Sequence, residues 1–245
     1  MTLRIGIAGI SGRMGRLLVE EVAAAGADMA GGTRRGDDLG PVAAASDVVI
    51  DFTRAEAVQA HAAALADSVT AWVLGTSGLS AADEMAVAEA SKRIAVVYAA
   101  NFSPGVTLVL ALAERMAAAL PAAQYDAEIV EMHHRQKVDA PSGTAIGLGR
   151  AVATGRGVDL ADVMQSGRDG HTGPREMGTI GFAALRGGQV VGEHSLLFAG
   201  ADEHIILTHK AFDRRTFASG AVRAALWAST QPPGLYAMRD VLGLH

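Results

Sequence analysis

The residues best suited to chemistry stand together in the middle of the chain, in Glu131-Met132-His133-His134-Arg135-Gln136-Lys137-Val138-Asp139-Ala140-Pro141-Ser142-Gly143-Thr144-Ala145. Two imidazoles and an ammonium in one short stretch can take up and release protons near neutral pH. Pro141 and Ser142 mark a helix start with Ser142 as N-cap, which aims the amides of Gly143 and Thr144 at an anion such as a substrate carboxylate. A helix end alone is worth only about 0.3–1 kcal/mol when exposed. Binding therefore needs the cations just upstream, His133, His134 and Lys137. Taken singly, each histidine reads more readily as a surface or structural residue, and it is the combination that points to a site. The paired histidines do not form HExxH, and the chain has no cysteine, so no metal site and no thiol nucleophile are expected. The absence of a GxSxG turn speaks against a serine hydrolase.

A second pattern lies near the amino terminus. Gly9-Ile10-Ser11-Gly12-Arg13-Met14-Gly15 sits between an apolar run and an amphipathic stretch, where backbone amides and the helix dipole can receive a pyrophosphate. The GxxGxxG spacing departs from GxGxxG, and no Lys-Ser or Lys-Thr pair follows as a P-loop requires. The alternative is a tight strand-to-helix turn with no ligand, and the surrounding pattern favours a nucleotide. After the second strand, where an acid would bind a ribose, stands Gly32-Thr33-Arg34-Arg35. Two guanidiniums beside a hydroxyl suit a phosphate monoester, so NADPH is expected to bind at least as well as NADH. Gly75-Thr76-Ser77-Gly78 and Ala99-Ala100-Asn101-Phe102 close later strands, where loops flank a nicotinamide.

Elements that would position these groups follow from periodicity. Residues 3–8, 28–31, 48–52, 69–74 and 94–99 read as strands, and 13–25, 55–66 and 81–91 as helices, which is the alternation of a doubly wound parallel α/β sheet. Near-continuous apolar runs such as Val48-Val49-Ile50 imply burial on both faces. A helix is expected from Pro104 to residue 120. Thereafter 127–132, 178–185, 189–197 and 204–208 alternate with period two, and Gly187-Gly188 looks like a hairpin connection. The second part is thus an α+β domain on a mixed, largely antiparallel sheet, with a helix at 143–154 and a loop, mobile by its Gly and Asp content, at 158–175, and the tail is again helical at 217–227. The expected division is 1–103 for the dinucleotide, with 214–245 returning to it, and 104–213 for substrate and oligomerisation. Hinges at 103–105 and 213–215 would let the glycine cradle and the His/Lys cluster face each other across one cavity.

Composition fits this picture. The 245 residues are 50% hydrophobic with a net charge of -5, so disorder and tracking of a nucleic-acid backbone by bulk charge are poor readings, and a small-molecule partner is favoured. The uncharged run 94–113 is cut by Asn101-Phe102-Ser103-Pro104-Gly105, and the opening residues read as a strand rather than a secretory signal. A soluble, cytoplasmic protein with no membrane partner is expected.

With these motifs assembled, the chain resembles the dihydrodipicolinate (4-hydroxy-tetrahydrodipicolinate) reductase family nearly end to end. The likeness rests on the Gly9 turn, on Val48-Val49-Ile50-Asp51-Phe52-Thr53, on Gly75 to Gly78, on Ala99 to Ser103 and above all on the run from Glu131 to Ala145. Gly178 to Gly181, Val191-Gly192-Glu193-His194 and Thr208-His209-Lys210-Ala211 add to it. The resemblance implies a Rossmann-like nucleotide domain and NAD(P)H-dependent reduction of a cyclic dicarboxylate in lysine and diaminopimelate biosynthesis. It implies cofactor contacts at Gly9, Ile10, Ser11, Gly12, Arg13, Met14, Arg34, Gly75, Thr76, Ser77, Ala99, Ala100, Asn101 and Phe102. His133 and Lys137 match a catalytic pair, His134, Gly143 and Thr144 match dicarboxylate contacts, and a homotetramer is implied. Two rivals remain at this level: a nicotinamide-dependent dehydrogenase for another amino or keto acid, and a non-catalytic nucleotide sensor.

Overall fold

The computed structural model describes residues 2–244. In chain order the elements are β1 (Arg4–Ala8), α1 (Arg13–Ala24), β2 (Asp28–Thr33), α2 (Gly40–Ala45), β3 (Val48–Asp51), α3 (Val58–Ser68), β4 (Ala71–Leu74), α4 (Ala81–Ala90), β5 (Ala95–Tyr98) and α5 (Pro104–Ala119). They continue with β6 (Asp126–His133), α6 (Gly143–Arg156), α7 (Leu160–Val163), β7 (Met164–Ser166), β8 (Ile180–Arg186), β9 (Gly192–Ala199), β10 (His204–Ala211), α8 (Arg215–Ala228), β11 (Gly234–Tyr236) and α9 (Met238–Val241). The chain divides into two compact units, one holding the residues up to Pro104 and those from Arg214 onward, the other Gly105–Asp213.

In the first unit a parallel sheet runs in the order β11-β5-β4-β3-β1-β2. Its central strands are apolar because both faces are covered, apart from Asp51 closing β3 and Tyr98 closing β5. Val48, Ile50, Val73 and Val97 pack with Leu18 and Val22 of α1 and with Ala221 and Ala225 of α8. Their neighbours Val49, Trp72, Leu74 and Val96 pack with Ala43 of α2, Leu65 of α3 and Val87 of α4. Side chains alternate across a strand, so each strand feeds both layers. The chain reverses its direction of winding at β1, which opens a crevice beyond the carboxyl ends of β1 and β3. Three details differ from expectation. The second strand continues to Thr33, which pairs with Ala8, and α2 is an additional short helix with proline in its first turn. Val69, expected to open a strand, instead ends α3 in the left-handed region at φ 56°.

The second unit is built on a mixed sheet of order β10-β9-β6-β8-β7. It is antiparallel from β10 through β9 to β6 and parallel from β6 through β8 to β7. Ile129, Leu196, Phe198, Ile180 and Phe182 on one face meet Ala113 and Ala117 of α5 and Leu148 and Val152 of α6 in a common core.

The hairpin expected at Gly187-Gly188 is not formed, because β8 and β9 lie on opposite sides of β6. The chain turns there, with Gly188 at φ 53°, but the turn wraps the end of β6. Gly187 donates to the His133 carbonyl, and the Gly188 and Val190 carbonyls accept from Arg135 and His134. The true hairpin joins β9 to β10, closed by the Gly200 amide on the Glu203 carbonyl. Residues 158–175, expected as a loop, contain α7 and β7. They are tied down where Arg168 and Arg175 donate to the Glu128 carboxylate of β6. Among the described residues no helix is long and apolar enough to cross a membrane.

Candidate active site

The first unit carries a cavity of about 600 Å³ at the reversal point of its sheet, lined by Gly9, Ser11, Gly12, Thr33, Arg34 and Arg35 on one side and by Thr53, Arg54 and His61 on the other. Its floor depends on glycine. Gly9 has φ +79°, and a Cβ on Gly15 would stand 2.3 Å from the Gly9 carbonyl oxygen, so α1 can begin this close to the turn only without a side chain there. Gly12 is the N-cap of α1 and no side chain caps it, which leaves the first-turn amides of the helix for an anion. The amides of Gly9 and Ile10 are committed elsewhere, since both donate to the Thr33 carbonyl, at 3.0 and 2.9 Å. The Gly12 amide donates to the Gly9 carbonyl at 2.9 Å, so of the motif Ser11, Arg13 and Met14 retain the donor geometry, while Gly9, Ile10 and Gly12 shape the turn.

Arg34 and Arg35 are exposed at the cavity rim. Asp37 accepts the Arg34 amide at 2.8 Å and fixes this loop. Opposite, Asp51 at the end of β3 is fully buried and accepts from the amide and hydroxyl of Thr53, at 2.9 and 2.6 Å, and from His61 Nδ1 at 2.7 Å. Sequence reasoning quoted Asp51 only as part of a motif and did not find His61. An acid closing a strand that is otherwise buried on both faces was the available signal.

Of the remaining expected contacts, Thr76 is buried with its hydroxyl unpartnered, which suits a ligand group. Gly75 is required by the Phe52 ring, which a Cβ would meet at 2.4 Å. Ser77 and Ala100 are exposed and Ala99 half-buried. The Asn101 side-chain oxygen accepts the Ser103 amide at 2.8 Å. The Phe102 ring is core, 1% exposed and tilted against Phe52 at 5.4 Å, so it can offer a ligand only its backbone. The glycine cradle, the uncapped helix start and the unsatisfied Thr76 hydroxyl together fit a dinucleotide.

The second unit brings the mid-chain cluster together around a buried carboxylate. On β6, Ala127, Ile129, Glu131 and His133 share the inner face because residues two apart on a strand do so. Glu131 is 1% exposed. One of its oxygens accepts His133 Nδ1 at 2.6 Å and Arg186 at 2.8 Å, the other accepts the Ser142 amide at 3.1 Å and Arg186 at 2.8 Å. Burial alone would raise its pKa, but the bonds from Arg186 and His133 hold the carboxyl below its ordinary value. Burial lowers the His133 imidazole, against the pull of Glu131, with the charges of Lys137 and Arg186 adding to the fall.

Lys137 lies on the loop after β6, its ammonium 2.8 and 2.9 Å from the two oxygens of Asp139, whose carboxyl it holds below the usual range. His134 donates its amide to Val190, and its Nδ1 is buried without a partner. Ser142 caps α6 as the sequence suggests, its hydroxyl taking the Ala145 amide at 3.2 Å. The same hydroxyl meets His194 Nε2 at 3.0 Å, and the His194 ring packs edge-on against His133 with centroids 5.0 Å apart. Glu131, Arg186 and His194 were thus missed as members of the site. The period-two pattern of β6, which puts Glu131 and His133 on one face, could have supplied the first.

Among the described residues, no group of three or more histidines and carboxylates is arranged to hold a metal ion. What the cluster can do is bind an anionic group and pass a proton to it from neighbouring nitrogen acids.

Comparison with known proteins agrees with both halves. The family profile described as dihydrodipicolinate reductase, N-terminus, matches residues 3–102, and that described as dihydrodipicolinate reductase, C-terminus, matches 105–242. The chain is 66% identical over 256 residues to a 4-hydroxy-tetrahydrodipicolinate reductase of Granulibacter bethesdensis, covering 100% of this chain and 98% of the relative. It is 64% identical to one of Acidiphilium cryptum, with 99% and 98% covered. In fold it is similar to a dipicolinate-bound dihydrodipicolinate reductase of a Paenisporosarcina species, with TM-score 0.76, 23% identity and 98% and 99% of the two chains covered. The amino-terminal unit is accordingly a nucleotide-binding domain of Rossmann type, suited to a pyridine nucleotide. By sequence matched along both of its parts, the chain belongs to the dihydrodipicolinate reductase family.

Proposed function

We infer that the chain reduces 4-hydroxy-tetrahydrodipicolinate to tetrahydrodipicolinate at the expense of NADPH or NADH, with loss of water, in diaminopimelate and lysine biosynthesis. The observation that carries this reading is the cluster of the second unit, in which His133, His134, Lys137 and the start of α6 gather two imidazoles, an ammonium and backbone amides suited to a small dicarboxylate. A reduced nicotinamide nucleotide, when bound, supplies the hydride. The first-turn amides of α1 would hold its pyrophosphate, and Thr76 and the backbone of 99–102 would orient the ring.

His134, Gly143 and Thr144 bind the substrate carboxylates in this reading. Lys137 delivers the proton that balances the incoming hydride, and His133 acts as general acid or base beside it. Positioned proton transfer of this kind typically contributes about 10²- to 10⁴-fold. Asp139 holds the Lys137 ammonium when no substrate carboxylate competes for it. Arg34 and Arg35 favour NADPH at least as much as NADH, because a 2′-phosphate offers them an anion. The reading places the enzyme in the cytoplasm, in keeping with its lack of cysteine.

The same reading includes a homotetramer. Ile206, Leu197, Val130, Ala183, Met132 and Leu185 lie on the sheet face opposite the core, by register on four neighbouring strands. Ile206 and Leu185 are 55% and 51% exposed, a face that a second copy would cover. Light scattering on the eluting protein checks the number of copies, and a monomer would remove this part.

The activity is tested by condensing aspartate semialdehyde and pyruvate with a synthase, then adding this protein and following nicotinamide absorbance. Oxidation of the nucleotide only when all components are present is expected. Nucleotide binding with no turnover would favour a sensor instead.

A further inference from the structure

Glu131 was not needed to name the function, yet it is the most tightly held side chain of the second unit's site. Its two oxygens take four donors from three directions: His133 on its own strand, the backbone of Ser142 at the start of α6, and both terminal nitrogens of Arg186 on β8. Arg186 reaches further. The same guanidinium donates to the carbonyl of Asp139 at 2.6 Å, in the loop that carries Lys137.

We propose that Glu131 and Arg186 are a positioning pair for the reduction, fixing His133 as the Nδ1–H tautomer so that Nε2 is the ring nitrogen left for proton transfer, and anchoring the Lys137 loop in the same contact. The inference rests on the reading that His133 and Lys137 take part in the reaction. The carboxylate, paired with Arg186, stays ionised and accepts only, so the hydrogen between it and Nδ1 belongs to the ring. Nε2 then carries the lone pair. It lies against the backbone of Gly192, where a Cβ would stand 3.0 Å away, so the glycine keeps space beside the open nitrogen. Burial of the imidazole favours this neutral form. The logic is that of an acid orienting a histidine by its rear nitrogen, in which loss of the acid costs turnover mainly by admitting the wrong tautomer.

The test uses the full-length protein with ¹⁵N-labelled histidine, its His133 resonances identified by their loss in His133→Asn. Long-range proton–nitrogen correlation is expected to show a protonated Nδ1 and a bare Nε2. In Glu131→Gln the side-chain amide presents a donor as well as an acceptor, so the ring should populate both tautomers and kcat should fall by roughly 10²-fold, with KM changed far less. Arg186→Lys retains a cation beside Glu131 and should keep the wild-type tautomer and more of kcat than Arg186→Met, which also covers the case in which Glu131→Gln does not fold. A His133 ring that keeps Nδ1–H in Glu131→Gln and in Arg186→Met overturns the proposal. A ring that switches tautomer while kcat stays at the wild-type value leaves the grip on His133 intact and overturns instead the catalytic reading of His133.

Discussion

His194 should make the second unit acid-labile from near pH 6.5 downward, beginning above the range in which most carboxylates titrate. The ring is 5% exposed and its Nδ1 has no hydrogen-bond partner. Around it lie Glu131 and His133 on β6, His209 on β10, Lys137, and the hydroxyl of Ser142. Burial, reinforced by His133, pushes the imidazole down from 6.5 to about 4. Protonation is therefore harder in the folded than in the unfolded chain. The stability this represents is complete above pH 6.5 and is lost progressively as pH falls towards 4. The full window is worth about 3 kcal/mol, of which about 2 kcal/mol is gone by pH 5. With a urea slope of about 2 kcal/mol/M that is a midpoint shift of roughly 1 M. His194→Gln does not titrate and can still bond Ser142, so its midpoint should fall less than that of the wild type between pH 7.5 and pH 5. His133 and His209 are also lowered by burial and steepen both curves, so the difference reports His194 together with its coupling to those two rings. Far-UV circular dichroism is the signal to follow, because both tryptophans, Trp72 and Trp227, belong to the first unit. Parallel pH dependences for the two proteins would refute the reasoning.

How much of this was legible in the sequence depended on whether a feature is decided locally. Val48-Val49-Ile50 announces a strand covered on both faces, and β3 is that strand, because burial on two sides leaves no polar position before the closing Asp51. Ser142 as N-cap was legible for the same local reason. Gly187-Gly188 correctly marked a turn, but a turn does not say which strands will pair. Here β6 intervenes between β8 and β9, a choice made by burial of Ile129, Glu131 and His133 in the middle of the sheet. α7 and β7 are too short to show a period, and they are held from far away in sequence by Arg168 and Arg175 on Glu128. In the candidate site, histidines and lysine advertised themselves by type. Glu131 did not, since its period-two place on the inner face with Ile129 is one an acid can occupy only with a partner, and that partner, Arg186, lies 55 residues on. The same applies to His61, which becomes informative only beside Asp51.

Three further outcomes are expected. Lys137→Ala should lower kcat on the order of 10²-fold or more while leaving nucleotide affinity by calorimetry unchanged, whereas His134→Ala should mainly raise the substrate KM; wild-type turnover in Lys137→Ala would remove it as proton donor. Val69→Gly should raise the melting temperature, because a β-branched residue at φ 56° gives up strain of about 1–2 kcal/mol, against about 0.5–1 kcal/mol of added unfolded-state entropy; a lower melting temperature would show that the αL turn is not strained. The last concerns the cofactor. Arg34 and Arg35 are exposed, so an attraction for a 2′-phosphate would be exerted through water and be open to screening. Asp37 fixes the backbone of that loop through the Arg34 amide, so side-chain truncation leaves the loop's shape in place. A charge-assisted bond is worth about 1.5–3 kcal/mol at best and less at an exposed rim, so the double change to alanine should weaken NADPH by roughly 10- to 30-fold and NADH by no more than about 2-fold. Raising salt should narrow the wild-type difference between the two nucleotides in the same direction. Equal losses for both would mean that these arginines hold the adenosine itself, and any preference for the phosphorylated cofactor would have to come from Thr33 or from the opposite wall, Arg54 and His61.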